Sequence, residues 1–155
     1  ASMRTALDLE RITPLIWKEL INLKVPFIRC GVFIMDVDLK IIHNYLSTPD
    51  GKAIATFHLP FDTPGAIQDI LNHWRKRTRW TDYWEDEAKE AFAATLVRSG
   101  IFSSPSQYLN ALPEGGFYLH FLPFLQGMLY VGNVAKLKES DLDLLQSLAK
   151  AFSTA

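Results

Sequence analysis

The sequence predicts an α+β domain in which helices cover an antiparallel sheet. Three observations lead to this fold class. The β-prone runs follow one another through tight turns, amphipathic helical patterns flank these groups of strands, and the 155 residues match the size of one domain. Strands joined by short turns pair antiparallel. The predicted order is therefore a helix, three strands, two helices, two strands and a final helix.

The first element is a helix over about 5–23. Its apolar residues recur at helical spacing and form one stripe, which consists of Leu9, Ile12, Ile16 and Leu20. Pro14 predicts either a kink or a helix whose first turn begins near Thr13. We assign the domain to 4–155 and leave 1–3 outside it, as cloning remnants or a disordered start, because a Met occupies only the third position.

A meander of three strands follows. The run 27–36 is rich in Ile, Val, Phe and Met, and a turn at Val37 and Asp38 leads into a second β-prone run over 39–46. The segment 47–51 contains Pro-Asp-Gly, which favours another turn. The third strand is predicted over 53–59.

Two helical patterns occupy the middle of the chain. Thr63 and Pro64 predict an N-cap and a first helical residue, and the apolar positions that follow are Ile67, Ile70, Leu71 and Trp74. A second helix is predicted over about 82–98, ending before Gly100. The segment 101–114 is predicted as a loop because prolines, serines and asparagines interrupt it.

The last part of the chain predicts a hairpin and a helix. Strands over 117–124 and 128–134 flank a turn at Gln126 and Gly127. Ser140, with Asp143 three residues later, predicts the start of the final helix. Two apolar stripes on this helix allow one contact with the sheet and one with a partner chain; the first is Leu142, Leu145 and Ala149, the second Leu144, Leu148 and Phe152.

Composition excludes several classes of function. Sixteen Lys and Arg against 17 Asp and Glu give a net charge of -1, which argues against nucleic-acid binding and against electrostatic attachment to a membrane. No apolar run approaches the roughly 20 residues that cross a bilayer. The single Cys30 excludes an intramolecular disulfide and a four-cysteine zinc site, and it fits a reducing cytoplasm, where we expect the protein.

Three patterns have both a chemical and a structural interpretation. Asp36 and Asp38 end a strand in the way phosphatase nucleophiles do, but they are also ordinary hairpin residues. His43, His58 and His120 fall on three strands, where they would either bind a metal or form structural hydrogen bonds. The basic run 75–79 would contact phosphate or complement a helix C-terminus. In each case the structural interpretation is the commoner one.

The C-terminal hairpin carries a family resemblance. The stretch 116–133 reads GFYLHFLPFLQGMLYVGN and precedes a helix, and the segment 9–36 supplies an opening helix and strand. This order resembles that of GAF domains. The resemblance implies a six-stranded antiparallel sheet with the N- and C-terminal helices on one face and a ligand-pocket segment on the other. It also implies a regulatory module of a sensor histidine kinase or nucleotide cyclase, whose terminal helices pair between two protomers.

The known ligand classes of the family leave the ligand of this chain unidentified. The cyclic-nucleotide signature requires Asn-Lys, whereas here Asn44 precedes Tyr45. Bilin attachment uses a cysteine usually followed by His, and Cys30 does not correspond to it. Members that reduce methionine sulfoxide need several cysteines, whereas this chain has one. No cofactor is therefore assigned.

Aromatic residues are the best candidates for the pocket walls, because an aromatic ring with a polar tip suits a largely apolar ligand site. Two of them, Tyr118 and His120, share one face of a strand by the two-residue period. The candidate ligand-binding residues are Tyr45, His58, Trp80, Tyr83, Tyr108, Tyr118 and His120.

These observations favour a non-catalytic, small-molecule-sensing and dimerisation domain of a signal-transduction protein. Its expected partners are an unidentified small ligand and a second copy of the chain, with no nucleic acid, membrane or metal. Two alternatives remain open. One is a ligand-free structural relay, and the other is a small enzyme that uses His120 as a general base.

Overall fold

The computed structural model describes residues 6–47 and 53–154, and it gives side chains for 12–47 and 56–153. The described helices are α1 (Ala6–Asn22), α2 (Ala66–Lys76), α3 (Asp86–Arg98), α4 (Pro105–Leu109) and α5 (Glu139–Thr154). The described strands are β1 (Arg29–Asp36), β2 (Ile41–Ser47), β3 (Ala53–Pro60), β4 (Trp80–Trp84), β5 (Phe117–Phe124) and β6 (Gly127–Asn133).

The six strands form one antiparallel sheet in the order β3-β2-β1-β6-β5-β4. The N-terminal meander and the C-terminal hairpin meet where β1 pairs with β6, with Val32 opposite Leu129. This sheet and its helices confirm the predicted α+β class and the six strands that the resemblance implies.

Each face of the sheet is covered by a different set of helices. One face, here called the terminal-helix face, packs against α1 and α5 through residues such as Val32, Leu122 and Leu145. The opposite face, here called the middle-helix face, packs against α2, α3 and α4 through residues such as Phe33 and Phe121. Because successive side chains of a strand point to opposite faces, the register assigns every strand residue to one of these two cores.

The predicted helix over 82–98 begins too early, because its first residues form the edge strand β4. Trp80 and Trp84 both point to the middle-helix face, and Trp84 packs edge-on against Phe117 of the neighbouring strand. The Asp82 carboxylate accepts a hydrogen bond of 3.0 Å from the Trp84 indole. Trp84 and Phe92 bury on the same side of the molecule, so their spacing resembles a single helical stripe although two elements carry them.

Two predicted N-caps are wrong. α2 begins after Gly65, whose φ of 90° few other residues adopt, and Thr63 instead donates a hydrogen bond of 2.6 Å to the carbonyl of Pro60. Ser140 lies inside α5, which begins at Glu139. The capping pattern therefore predicts the start of both helices to within a few residues, but it assigns the wrong residue as the N-cap of each.

Three other local predictions have mixed outcomes. α1 continues through Pro14, so a start near Thr13 is wrong. The predicted loop over 101–114 contains α4, and the side chain of Gln107 stabilises its start by accepting hydrogen bonds from the backbone of Ser103 and Ser104. The turn predicted over 47–51 lies, from residue 48 on, outside the described residues.

The two apolar stripes of α5 are not equivalent. Leu142, Leu145 and Ala149 are buried against the sheet, as predicted. In the second stripe only Leu144 is largely exposed, at 43%, because Phe152 packs edge-on against Phe124. None of the helices in the described ranges has the length and apolar character to span a bilayer.

Candidate functional site

A small cavity of about 20 Å³ lies between the middle-helix face of the sheet and the helices that cover it. Two polar side chains, Arg29 of β1 and Asn44 of β2, contribute to its wall. The other walls are aromatic and aliphatic, and they include Phe33, Trp84 and Phe121. The cavity thus places an arginine and an amide inside an otherwise apolar core.

Arg29 is 2% exposed, and its side chain shares the middle-helix face with Phe33. None of its three guanidinium nitrogens has a hydrogen-bond partner among the described residues. Its carbon Cζ lies 5.9 Å from the ring centroid of Tyr108, within cation–π range. A buried charge without an ionic partner costs several kcal/mol. Arg29 is therefore a buried charge with no ionic partner in the described part of the chain.

Asn44 lies opposite Phe33 in the register of β1 and β2 and is 1% exposed. Its amide nitrogen and amide oxygen both lack partners within the described ranges. An amide can donate and accept at once, so Asn44 offers either role to a molecule in the cavity. Two unpartnered polar side chains on neighbouring strands thus share one cavity.

Gly132 makes room for the arginine. It lies opposite Arg29 in the pairing of β1 with β6. A Cβ atom at this position would lie 2.8 Å from Cγ of Arg29 and 2.5 Å from the hydroxyl of Tyr130. Any larger residue at Gly132 would therefore displace the arginine stem or the Tyr130 hydroxyl.

Two buried tyrosines adjoin the guanidinium. Burial raises the pKa of Tyr108 above its ordinary value, and the positive charge of Arg29 and the closeness of its guanidinium to the phenol oxygen oppose this effect. Burial likewise raises the pKa of Tyr130, again against the charge of Arg29. Both phenols are therefore neutral and do not supply the missing negative charge.

The cavity has space for about one water molecule. A guanidinium carries more N–H donors than one water can satisfy, and the Asn44 amide adds further unmet donors and acceptors. The polar groups therefore require more partners than a cavity of this volume can hold.

The structure divides the seven residues predicted from sequence between two faces. Tyr108 lines the cavity, and Trp80 stacks on the cavity residue Phe121 at a centroid distance of 5.2 Å. The other five belong to the terminal-helix face or its rim: Tyr45, His58, Tyr83, Tyr118 and His120. The seven therefore cannot line one pocket, although Tyr118 and His120 share a face as predicted.

His120 has a structural role. It is fully buried, its Nδ1 donates to the carbonyl of Val131 over 2.9 Å, and its Nε2 accepts the N–H of Leu137 over 3.1 Å. Burial lowers its pKa, so the imidazole is neutral. Both nitrogens are occupied by backbone groups, which leaves no free lone pair for the general-base role considered from the sequence.

The remaining strand histidines form a pair at the outer end of the sheet. Nδ1 of His43 and Nδ1 of His58 are 2.7 Å apart, and His43 donates through Nε2 to the Asp36 carboxylate over 3.3 Å. Burial lowers the pKa of His58. His120 is not part of this pair, and no metal-binding group of three His, Cys, Asp or Glu side chains occurs in the described ranges.

Two of the three arginines of the basic run, Arg77 and Arg79, have polar partners within the fold. Arg77 donates to the carbonyl of Phe124 over 2.9 Å and stacks on Trp74. Arg79 forms an ion pair of 2.8 Å with Asp143 of α5. Their contacts are those of structural residues that connect the end of α2 to the β5–β6 hairpin and α5.

Two larger clefts are open to solvent. One, of about 730 Å³, lies beside the start of α3 and is bordered by Glu85, Asp86 and Glu87. The other, of about 460 Å³, lies beside α5, and two of its cations are Arg77 and Arg79. Neither cleft has an unpartnered buried polar side chain in its described wall. The small cavity that contains Arg29 and Asn44 in its wall is therefore the candidate site.

Sequence reasoning missed Arg29 and Asn44. Each is a polar residue within a strand that is otherwise largely apolar, and this is the signal that the sequence offers. Their relation to each other appears only when the register places both on the middle-helix face.

Comparison with known proteins identifies the fold. No family model and no curated protein matches the sequence. The GAF domain of a two-component sensor histidine kinase from Bacillus halodurans superimposes with a TM-score of 0.51 at 15% identity, covering 93% of this chain and 90% of that one. A methyl-accepting chemotaxis protein fragment, residues 122 to 287, gives a TM-score of 0.53 at 12% identity, covering 97% and 88%. The chain therefore has a GAF-like fold.

Proposed function

We propose that this GAF-like domain is a non-catalytic, small-molecule-sensing and dimerisation domain of a cytoplasmic signal-transduction protein, such as a sensor histidine kinase. The observation that carries the proposal is the cavity with Arg29 and Asn44 unpartnered in its wall. The names of the two similar structures, a sensor kinase domain and a chemotaxis protein fragment, support a role in signalling.

A ligand-free structural relay is the second candidate, because the cavity holds only about one water. The energetics of Arg29 favour the sensor. An uncompensated buried charge costs several kcal/mol, which is a large share of the roughly 5–15 kcal/mol that stabilises a typical domain. An apolar residue would give a relay a more stable core. A ligand that partners Arg29 accounts for the charge.

A ligand larger than a water molecule requires the middle helices to move away from the sheet, because the cavity has a volume of only about 20 Å³. α4 carries Tyr108 and α3 carries Phe92, whose rings are 5.5 Å apart and which both line the cavity. We expect the short α4 and its neighbour α3 to shift together when the ligand binds.

A route from the middle helices to α5 runs through the β5–β6 hairpin. The Trp74 indole of α2 donates to the carbonyl of Phe124 over 3.1 Å. From the other face, Gln146 of α5 donates to the carbonyl of Pro123 over 2.8 Å. Arg79 adds its ion pair with Asp143. A displacement on the middle-helix face would therefore reach the C-terminal helix through these contacts.

The proposed dimer uses the outer surfaces of the terminal helices. Large apolar side chains are exposed there, namely Leu15 at 58%, Ile21 at 48% and Leu144 at 43%. Exposed apolar residues on helices that cover the same face of a sheet are typical of an interaction surface. A second copy that packs α1 and α5 against their counterparts would cover them.

The proposal is tested by light scattering and by thermal shifts across a metabolite library. We expect a dimer in solution and at least one compound that raises the melting temperature.

Leu144→Glu places a charge in the proposed interface and should yield a folded monomer. Leu39→Glu, at a 66% exposed position in the β1–β2 turn, is the matched control and should remain dimeric. A monomeric wild type together with no thermal shift from any compound would contradict both halves of the proposal.

A further inference from the structure

We infer that the ligand of the cavity is a small monocarboxylate without an amino group, held through its carboxylate by the guanidinium of Arg29. This inference rests on the proposed sensing function and specifies the chemical class of the ligand. It is carried by the charge, shape and polarity of the cavity wall.

The charge of the wall indicates a single negative charge on the ligand. Arg29 is the only charged side chain among the described residues that line the cavity. A monoanion neutralises it, whereas a phosphate with two negative charges would leave a net charge in an apolar enclosure. The cavity therefore favours a carboxylate over a phosphate.

The shape of the guanidinium indicates a planar partner. Its N–H groups form a fork that matches the two oxygens of a carboxylate, and such paired hydrogen bonds are shorter and stronger than neutral ones. Asn44 adds an amide donor from the neighbouring strand. A carboxylate ligand would supply acceptors for the fork of Arg29, and the Asn44 amide offers a further donor in the same cavity.

The apolar walls select the rest of the molecule. Phe33, Phe121 and Trp84 suit an aliphatic or aromatic body. No acidic side chain occurs in the described wall, so the ammonium of an amino acid would be buried without a partner. Amino acids are therefore excluded, although they carry a carboxylate.

Calorimetry and thermal shift with formate, acetate, propionate and benzoate test the inference, with sodium chloride at equal ionic strength as the reference. Phosphate and glycine test the selectivity. At about 100 times the dissociation constant, the best carboxylate should raise the melting temperature by about 5–10 °C. Phosphate and glycine should produce no shift beyond that of sodium chloride.

Three variants locate the binding. Arg29→Lys keeps the charge but removes the fork, and it should weaken carboxylate binding about tenfold or more. Arg77→Lys makes the same chemical change outside the cavity and should bind like the wild type. Asn44→Asp places a carboxylate in the wall, so it should raise the melting temperature without ligand and abolish the carboxylate shift.

Each outcome is decisive. Carboxylate binding that is weakened by Arg29→Lys and kept by Arg77→Lys supports the inference. Phosphate or glycine binding as tightly as the best carboxylate would overturn it, as would equal carboxylate binding by Arg29→Lys or undiminished binding by Asn44→Asp. A neutral library compound that binds wild type and Arg29→Lys alike would overturn the carboxylate inference and leave the sensing function standing. Absence of binding by every compound would overturn both.

Discussion

Replacement of Arg29 by methionine is expected to raise the free energy of unfolding of the ligand-free protein by about 1–4 kcal/mol. Most core substitutions destabilise a protein, so a gain is a distinctive result. It is expected because the guanidinium is 2% exposed and has no hydrogen-bond partner among the described residues. Methionine has a similar length, fills irregular space and carries no charge.

Urea unfolding at neutral pH, without added carboxylate, measures this difference. Arg77→Met is the control, because Arg77 donates to the carbonyls of Phe124 and Leu125 and its loss should cost about 1–2 kcal/mol. If Arg29→Met destabilised the protein as much as the control does, the charge of Arg29 would already be compensated in the folded state. The reason for expecting an anionic ligand would then be lost.

Replacement of His120 by leucine is expected to lower the free energy of unfolding by about 2–4 kcal/mol, because two backbone groups lose their partner inside the core. The N–H of Leu137 donates to this imidazole, and the carbonyl of Val131 accepts from it. The glutamine side chain of His120→Gln can both donate and accept a hydrogen bond, so this variant should lose less stability than His120→Leu. Urea unfolding of the three proteins measures the series. Equal stability of His120→Leu and wild type would contradict a structural role for His120.

Stability should also fall with acid because of His120. Burial holds the pKa of His120 below its ordinary 6.5 in the folded protein, so the unfolded chain takes up a proton at higher pH than the folded one. Stability is therefore lost as the pH falls below about 6.5, by at most about 1.4 kcal/mol per pH unit, until the folded-state pKa is reached. His120→Gln should lack this component. The same slope in both proteins would show that other groups cause it.

The arrangement of elements is largely predictable from the sequence. The turns at Val37 and at Gly127 predict two hairpins. Strands joined by such short turns pair antiparallel without a crossover, as β1 and β2 and as β5 and β6 do. β4 is the exception. Trp84 and Phe92 carry the apolar pattern across a strand and a helix that bury on the same side, so local spacing alone assigns both to one helix.

The site was less predictable than the fold. A pattern of alternating residues shows which side chains of one strand share a face, as with Tyr118 and His120, but not which set of helices covers that face. That depends on pairings between distant parts of the chain. Arg29 and Asn44 line one cavity only because β1 and β2 pair in one particular register. The aromatic residues that composition favoured mostly lie on the opposite face.

The most direct test of the ligand site is isotope-filtered NMR, with uniformly carbon-13-labelled protein and unlabelled propionate. We predict intermolecular nuclear Overhauser effects between the propionate methyl protons and the ring protons of Phe121 and Tyr108, which line the cavity. Effects confined to Tyr118 on the terminal-helix face, or to Tyr83 beside the open cleft at α3, would place the ligand elsewhere and contradict the account.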